Sequence, residues 1–430
     1  MDYFRFKNKI FHGVFILFVI ALVRSIVDSF LNFNSFTASD SGWQLSEFLI
    51  NYEGGFYRRG LLGQLFFWGV KYLHIDLLLS VKIFSLVFLA IVCGFFIRQF
   101  RLKNYPWQLL TLCFFLGGTI FYGNWIRKDC LMMACFILIM SMYNRPNINQ
   151  WAKFILINVV AIFIILTHEL FCFFALPILF LLIMKDFQSK SWIRSAMMAG
   201  VCLLPSFIAS LLMVILHGNQ ETADAIYASW NILGPENALE NMPFEIAAIG
   251  WKTLPAFLFH IRNNFLYVDN KILSTPVWCL IFPTVYYIAV QFLSVFKKKN
   301  SDFSTEKQTL LSSVILFQFL CLSPVFLVLC CDYARVFFLW IASSFTVFLL
   351  TPASVLKNVF PSKYKQKVAQ INLWFTRMLP PSRTLVGMLM LIIGICPACF
   401  FIKETYQTTV IYQDLYVLFE PFKLLLPYIQ

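Results

Sequence analysis

The chain is a succession of apolar runs, each about 15–23 residues long and almost free of charge, joined by short polar segments. A run of that length crosses a bilayer as a helix. In hydrocarbon, only helices and closed barrels satisfy every backbone amide and carbonyl without water. The runs are continuous rather than alternating, which excludes a transmembrane β-barrel. Roughly eleven of them use up most of the 430 residues and leave no soluble domain of useful size. Hydrophobic residues make up 60% of the chain and charged residues 13%, against about 25% charged in a soluble domain. A disordered chain, a secreted disulfide scaffold and an ordinary soluble enzyme are thereby excluded. The expected fold is a single all-α polytopic membrane domain over 1–430. Spans are expected at 12–32, 76–97, 107–124, 130–144, 153–168, 170–184, 195–217, 275–297, 309–330, 335–351 and 384–402. The pairs 107–144 and 153–184 each read as two short helices or as one long helix broken in the middle.

The net charge of +13 does not point to nucleic acid, because the cations lie in short loops between apolar runs. With the N-terminus cytoplasmic, 21 of the 34 Lys and Arg residues fall on the cytoplasmic side and 16 of the 21 acids on the other. That bias predicts an N-in topology. It leaves two sizeable external loops, 33–75 and 218–274, and a basic cytoplasmic loop, 352–383. The stretches 61–73 and 244–266 read as interfacial helices. Trp43, Trp125, Trp230, Trp251 and Trp278 fall near expected interfaces and suit an aromatic belt. Lys82 and Arg24, inside spans, are expected to snorkel or to pair internally. Cys330-Cys331 and Cys396-x-x-Cys399 lack the second pair of a zinc site. No Walker A loop, Rossmann fingerprint or haem arrangement occurs, so no cofactor or metal is expected.

Charges at membrane depth are costly and mark cavities or partners. Four clusters fall on the external side of this topology. The first, in SDSGWQLSEFLINYEGGFYRRGLLGQ, holds Asp40, Glu47, Glu53, Arg58 and Arg59. An arginine pair beside a glycine turn can grip phosphate bidentately. The second is Arg127-Lys128-Asp129, a cationic contact for an anionic lipid-linked substrate or a solvated turn with its own salt bridge. The third is His168-Glu169, two groups suited to proton transfer near neutral pH or a polar kink satisfied within the bundle. It is not a metal motif, since HExxH would place His where Cys172 stands. The fourth is Asp332 and Arg335, three apart on one helix face, as a structural pair or as phosphate-binding groups.

In length, Phe-rich composition, helix number and arginine-bearing external loops, the chain resembles the Wzy-like polymerases of bacterial O-antigen and capsular polysaccharide. The segment Gly55-Phe56-Tyr57-Arg58-Arg59-Gly60-Leu61-Leu62-Gly63 is similar to a motif of membrane proteins from such clusters. Those polymerases belong to the GT-C class of membrane glycosyltransferases. The resemblance implies polymerisation of undecaprenyl-pyrophosphate-linked repeat units at the periplasmic face of the bacterial inner membrane. A chain-length regulator and other polysaccharide-assembly proteins are implied as partners. On that reading Arg58, Arg59, Arg127 and Arg335 bind pyrophosphate, with Lys128 and Asp129 beside them. Glu53, Asp40 or Glu169 is the base, and His168 and Asp332 orient substrate or the arginines. A transferase adding a single sugar from a polyprenyl-phosphate donor, and a transporter of lipid-linked oligosaccharide, stand as alternatives.

Overall fold

The computed structural model describes residues 2–36, 42–187, 191–233, 239, 241–251, 258, 274–297, 303–329 and 333–394. All regular structure among them is helical. The segment 33–75, expected to be external, contains α2 (Gly42–Ser46), a 3-10 turn (Glu47–Leu49) and α3 (Gly60–Leu73). Among the described residues, four helices are long and apolar enough to cross a membrane. They are α1 (Asp2–Asn32), α4 (Leu77–Leu102), α8 (Gln150–Thr167) and α16 (Thr305–Pro324, extended by a π-helical turn to Leu329). Two bent pairs raise the number to six if each is one span. The first is α11 (Trp192–Cys202) with α12 (Leu204–Ile215), bent by 67°. The second is α17 (Tyr333–Leu350) with α18 (Ala353–Val359), bent by 119°.

Of the eleven expected spans, four to six stand as candidates by length and composition among the described residues, beside shorter apolar helices. The run 107–124 breaks into α5 (Gln108–Thr111), α6 (Leu116–Ile120) and a 3-10 segment to Ile126. The run 130–144 is α7 (Asp129–Tyr143), whose 15 residues reach only about 22 Å. The run 170–184 divides at Ala175 into α9 (Phe171–Phe174) and α10 (Leu176–Asp186). Apolar composition permits a span, but the backbone leaves the helix at Leu112 and Phe115 in the first run, and Pro177 begins a new helix just past Ala175 in the last.

Both ambiguous pairs are hairpins. The Ser25 hydroxyl donates to the Ile120 carbonyl, placing the end of α6 beside α1 past its middle, whereas Trp107 packs on Phe15, ten residues earlier in α1. The chain then turns at Arg127 and α7 runs back. Likewise Phe154, early in α8, packs on Phe187, just past the end of α10. His168, at φ −163°, ψ 121°, ends α8 in extended backbone and permits the reversal.

Polar side chains inside the bundle satisfy broken backbone. At the α11–α12 bend, Asn158 of α8 donates to the Cys202 carbonyl (2.7 Å) and accepts from the Ser206 hydroxyl (2.6 Å) and amide (3.2 Å). Pro205 opens α12 there, where a missing N–H costs nothing. Lys82 does not snorkel but donates to the Phe30 carbonyl (2.7 Å) and the Asn34 amide oxygen (3.1 Å). Arg24 pairs with Asp28 at 3.2 Å.

The expected interfacial stretch 61–73 is α3, and the segment 218–274 adds α13 (Gln220–Ile232) and α14 (Phe244–Ala247). Gly63 lets α3 settle on the preceding turn, because a Cβ there would overlap the Ile50 carbonyl. Gly63→Ala should therefore cost about 1–3 kcal/mol. Gly94→Ala in α4, with nothing within 4 Å of the new methyl group, should not destabilise. Thermal unfolding of both variants in detergent separates close packing from a general intolerance of substitution.

Candidate functional site

The ends of α1, α8 and α12 and the beginnings of α4, α7 and α17 meet at one pole of the bundle. Over that pole lie α2, α3, α13 and α14, and the segments 33–75 and 218–274 hold one another. Trp230 of α13 donates its indole N–H to the Leu49 carbonyl (2.8 Å), and Asn51 donates to the Ser229 hydroxyl (2.9 Å). The Arg58 amide donates to the Leu216 carbonyl at the end of α12 (2.9 Å). Trp125 and Trp230 are fully buried, which corrects their expected place in an aromatic belt. The Trp230 N–H, bound inside the protein, gains nothing from the headgroup layer, whereas the buried Trp125 Nε1 meets no hydrogen-bond partner among the described residues.

Beneath this cover the charges form two layers. The inner one is closed. Arg127 donates to the Glu47 carboxylate, and Arg335 stands 3.5 Å from the same group. Arg335 also grips Asp129 with two parallel bonds of 2.6 and 2.9 Å, the bidentate fork only arginine can form. Its Nη2 lies 3.3 Å from Nε2 of His168. Glu47, Asp129 and His168 are each at most 1% exposed. Lys128 joins the layers: its ammonium donates to the Arg59 (3.2 Å) and Thr167 (3.4 Å) carbonyls and lies over the Phe48 ring. Burial lowers its pKa to about 8.

The outer layer is more open. Arg59 binds Glu169 through Nε (2.8 Å) and Nη2 (2.5 Å) and lies 3.9 Å from Glu245. Arg58 reaches Glu169 only at 4.0 Å, and its side chain is 35% exposed. Arg59 sits at φ +66°, a left-handed conformation that non-glycine residues rarely adopt. That turn aims Arg58 and Arg59 at the same side as Glu169. Such local strain is a recurrent mark of functional positions.

The two outer carboxylates differ in kind. Burial disfavours the charge of both. At Glu169 the Arg59 guanidinium outweighs burial and holds the carboxyl well below the usual range. At Glu245 burial, reinforced by the charge of Glu47, prevails and raises the pKa.

Eight of the residues singled out from sequence thus meet: Arg58, Arg59, Arg127, Lys128, Asp129, His168, Glu169 and Arg335. The Arg127-Lys128-Asp129 triplet carries ion pairs and hydrogen bonds to other segments rather than serving simply as a solvated turn. Glu53 is exposed and accepts from the Gln64 amide at 3.0 Å. Asp40 and Asp332 lie outside the described residues. Two members carried no assigned role. Glu47 sits in the first cluster but looks like an acid of an amphipathic turn. Glu245 follows Pro243 in the segment 218–274, and nothing local links it to Arg59. Among the described residues, no three His, Cys, Asp or Glu side chains are placed to hold a metal ion. No protein-family model, curated protein or solved structure matches the chain.

Proposed function

We propose that the protein is a membrane glycosyltransferase that joins polyprenyl-pyrophosphate-linked glycan units at the outer face of the bacterial inner membrane. Its proposed product is an O-antigen or capsular polysaccharide. One observation carries the reading. A partly open arginine pair, flanked by carboxylates of unlike acidity, stands at one pole of a membrane helix bundle, while the lysine-rich segments gather at the other. Tyr143, Lys153 and Asp186 meet at that second pole, as do Lys357 and Glu306. The positive-inside bias makes the lysine-rich pole cytoplasmic.

In the proposed reaction, the acceptor hydroxyl oxygen attacks the anomeric carbon of the donor. The anomeric carbon–oxygen bond to pyrophosphate breaks, and its electron pair leaves with the polyprenyl pyrophosphate. Arg58 and Arg59 stabilise the departing charge. Glu245 takes the hydroxyl proton, because its raised pKa suits a base better than the clamped Glu169. The inner layer fixes the positions of these groups. The base role is thus reassigned from Glu53, Asp40 or Glu169 to Glu245.

The test is deletion in the native host, with surface glycan and lipid-linked precursors run on a gel. A lost ladder with one repeat unit retained supports a polymerase. An intact ladder lacking one branch sugar supports the single-addition transferase, and unchanged glycans overturn both readings. A further expectation concerns pH. Turnover of lipid-linked donor should rise with pH through an apparent value above the 4.5 of an ordinary Glu, since Glu245 must be deprotonated to accept a proton. Glu245→Gln should lose most turnover and abolish that limb; an unchanged acid limb in this variant would remove Glu245 from the role.

A further inference from the structure

At the lysine-rich pole, the basic segment 352–383 contains α18 and α19 (Ser362–Met378), followed by α20 (Arg383–Leu389). It carries six cations and no carboxylate: Lys357, Lys363, Lys365, Lys367, Arg377 and Arg383. The inner face of α19 is fixed to the bundle. Tyr364 donates to the Ser313 carbonyl (2.9 Å), and Asn372 donates to the Ser312 hydroxyl (2.9 Å) and accepts from the Tyr286 hydroxyl (2.6 Å). Val368 is buried on the same face.

The outer face reads Lys363, Lys367, Ile371, Trp374, Met378, at spacings of four, four, three and four, which is one stripe of a helix. Trp374 is 56% and Met378 64% exposed, and Leu373 is also exposed. Arg377 is exposed beside the stripe. Water suits the cations and not these large apolar groups; hydrocarbon suits the reverse. Only the headgroup boundary supplies both along one helix. Because the inner face is hydrogen-bonded to α15 (Ser274–Val295) and α16, the stripe is held at a set depth.

We propose that α19 is a docking surface for anionic phospholipid, with phosphate-bearing headgroups on Lys363, Lys367 and Arg377 and acyl chains against Ile371, Trp374 and Met378. Zwitterionic lipid would satisfy the apolar half but not the uncompensated charge; Glu306 is already bridged to Lys357 at 3.1 Å. The inference is independent of the glycosyltransferase reading.

The full-length protein in detergent, challenged with equal phosphatidylglycerol and phosphatidylcholine, provides the test by native mass spectrometry. Wild type should retain the anionic lipid about tenfold over the zwitterionic one, and 0.5 M salt should erase most of that preference. The triple variant Lys363→Gln, Lys367→Gln, Arg377→Gln should erase it, since three cations worth about fivefold each near such a surface exceed the whole tenfold preference. Equal retention of both lipids by wild type overturns the proposal. So does a preference that survives the triple substitution or the salt. If the triple variant does not fold, hydrogen exchange over 362–378 of wild type in nanodiscs decides: added protection with phosphatidylglycerol is expected, and equal exchange in both lipids overturns the idea.

Discussion

Glu47→Ala should leave little folded protein. The substitution removes the carboxylate shared by Arg127 and Arg335, both about 5% exposed, and leaves two buried guanidinium charges with one carboxylate, Asp129, between them where water cannot reach. Breaking a buried pair in this way costs about 3–5 kcal/mol, a large share of a marginal stability. Fluorescence-detected size exclusion and thermal unfolding in detergent should show aggregation or a strongly lowered midpoint. Glu47→Ala with Arg127→Met should recover much of the loss, because an apolar pair can replace a buried ion pair. An unchanged midpoint in the single variant would mean that the inner layer is solvated. Acid should act in the same direction. Burial opposes the Glu47 charge, but Arg127 and Arg335 outweigh it and hold the carboxyl far below 4.5. Its stabilising contribution is thus complete above the unfolded value near 4.5 and is lost as pH falls through the lower folded value.

Arg58→Ala should do the opposite: leave the fold and remove the activity. Its side chain is 35% exposed and its ion pair with Glu169 is at the long limit of 4.0 Å. A surface pair of that kind contributes about 0–1 kcal/mol to stability. An arginine that meets charge developing on a leaving pyrophosphate is worth far more, about 10²–10³ in turnover by analogy with an oxyanion donor. Arg58→Lys should recover only part, since an ammonium cannot form the planar two-point grip. Turnover of a lipid-linked donor by purified protein measures both variants. Wild-type turnover with Arg58→Ala would place the phosphate elsewhere. Arg59→Ala is a poorer probe, because it also releases Glu169 from its bidentate partner.

The sequence by itself determined the class of this protein and the raw material of its site. Hydropathy is a local property: a run such as 76–97 or 153–168 has few alternatives to a helix, wherever its neighbours lie. The polarity of the bundle was legible for the same reason, since Lys and Arg counts need no contacts. Eight of the charged residues stood out because a charge within an apolar chain is conspicuous. The tertiary structure alone decided which charges meet and what each does. Arg335 and Asp129 are 206 residues apart in sequence yet share two hydrogen bonds. Glu245 reaches Arg59 only because α13 and α14 fold over the segment 33–75. Whether 107–144 was a broken rod or a hairpin also escaped the sequence, because a turn flanked by apolar runs looks the same in both. An ion pair follows from three-dimensional proximity, and proximity between distant segments is set by helix packing that no local pattern encodes.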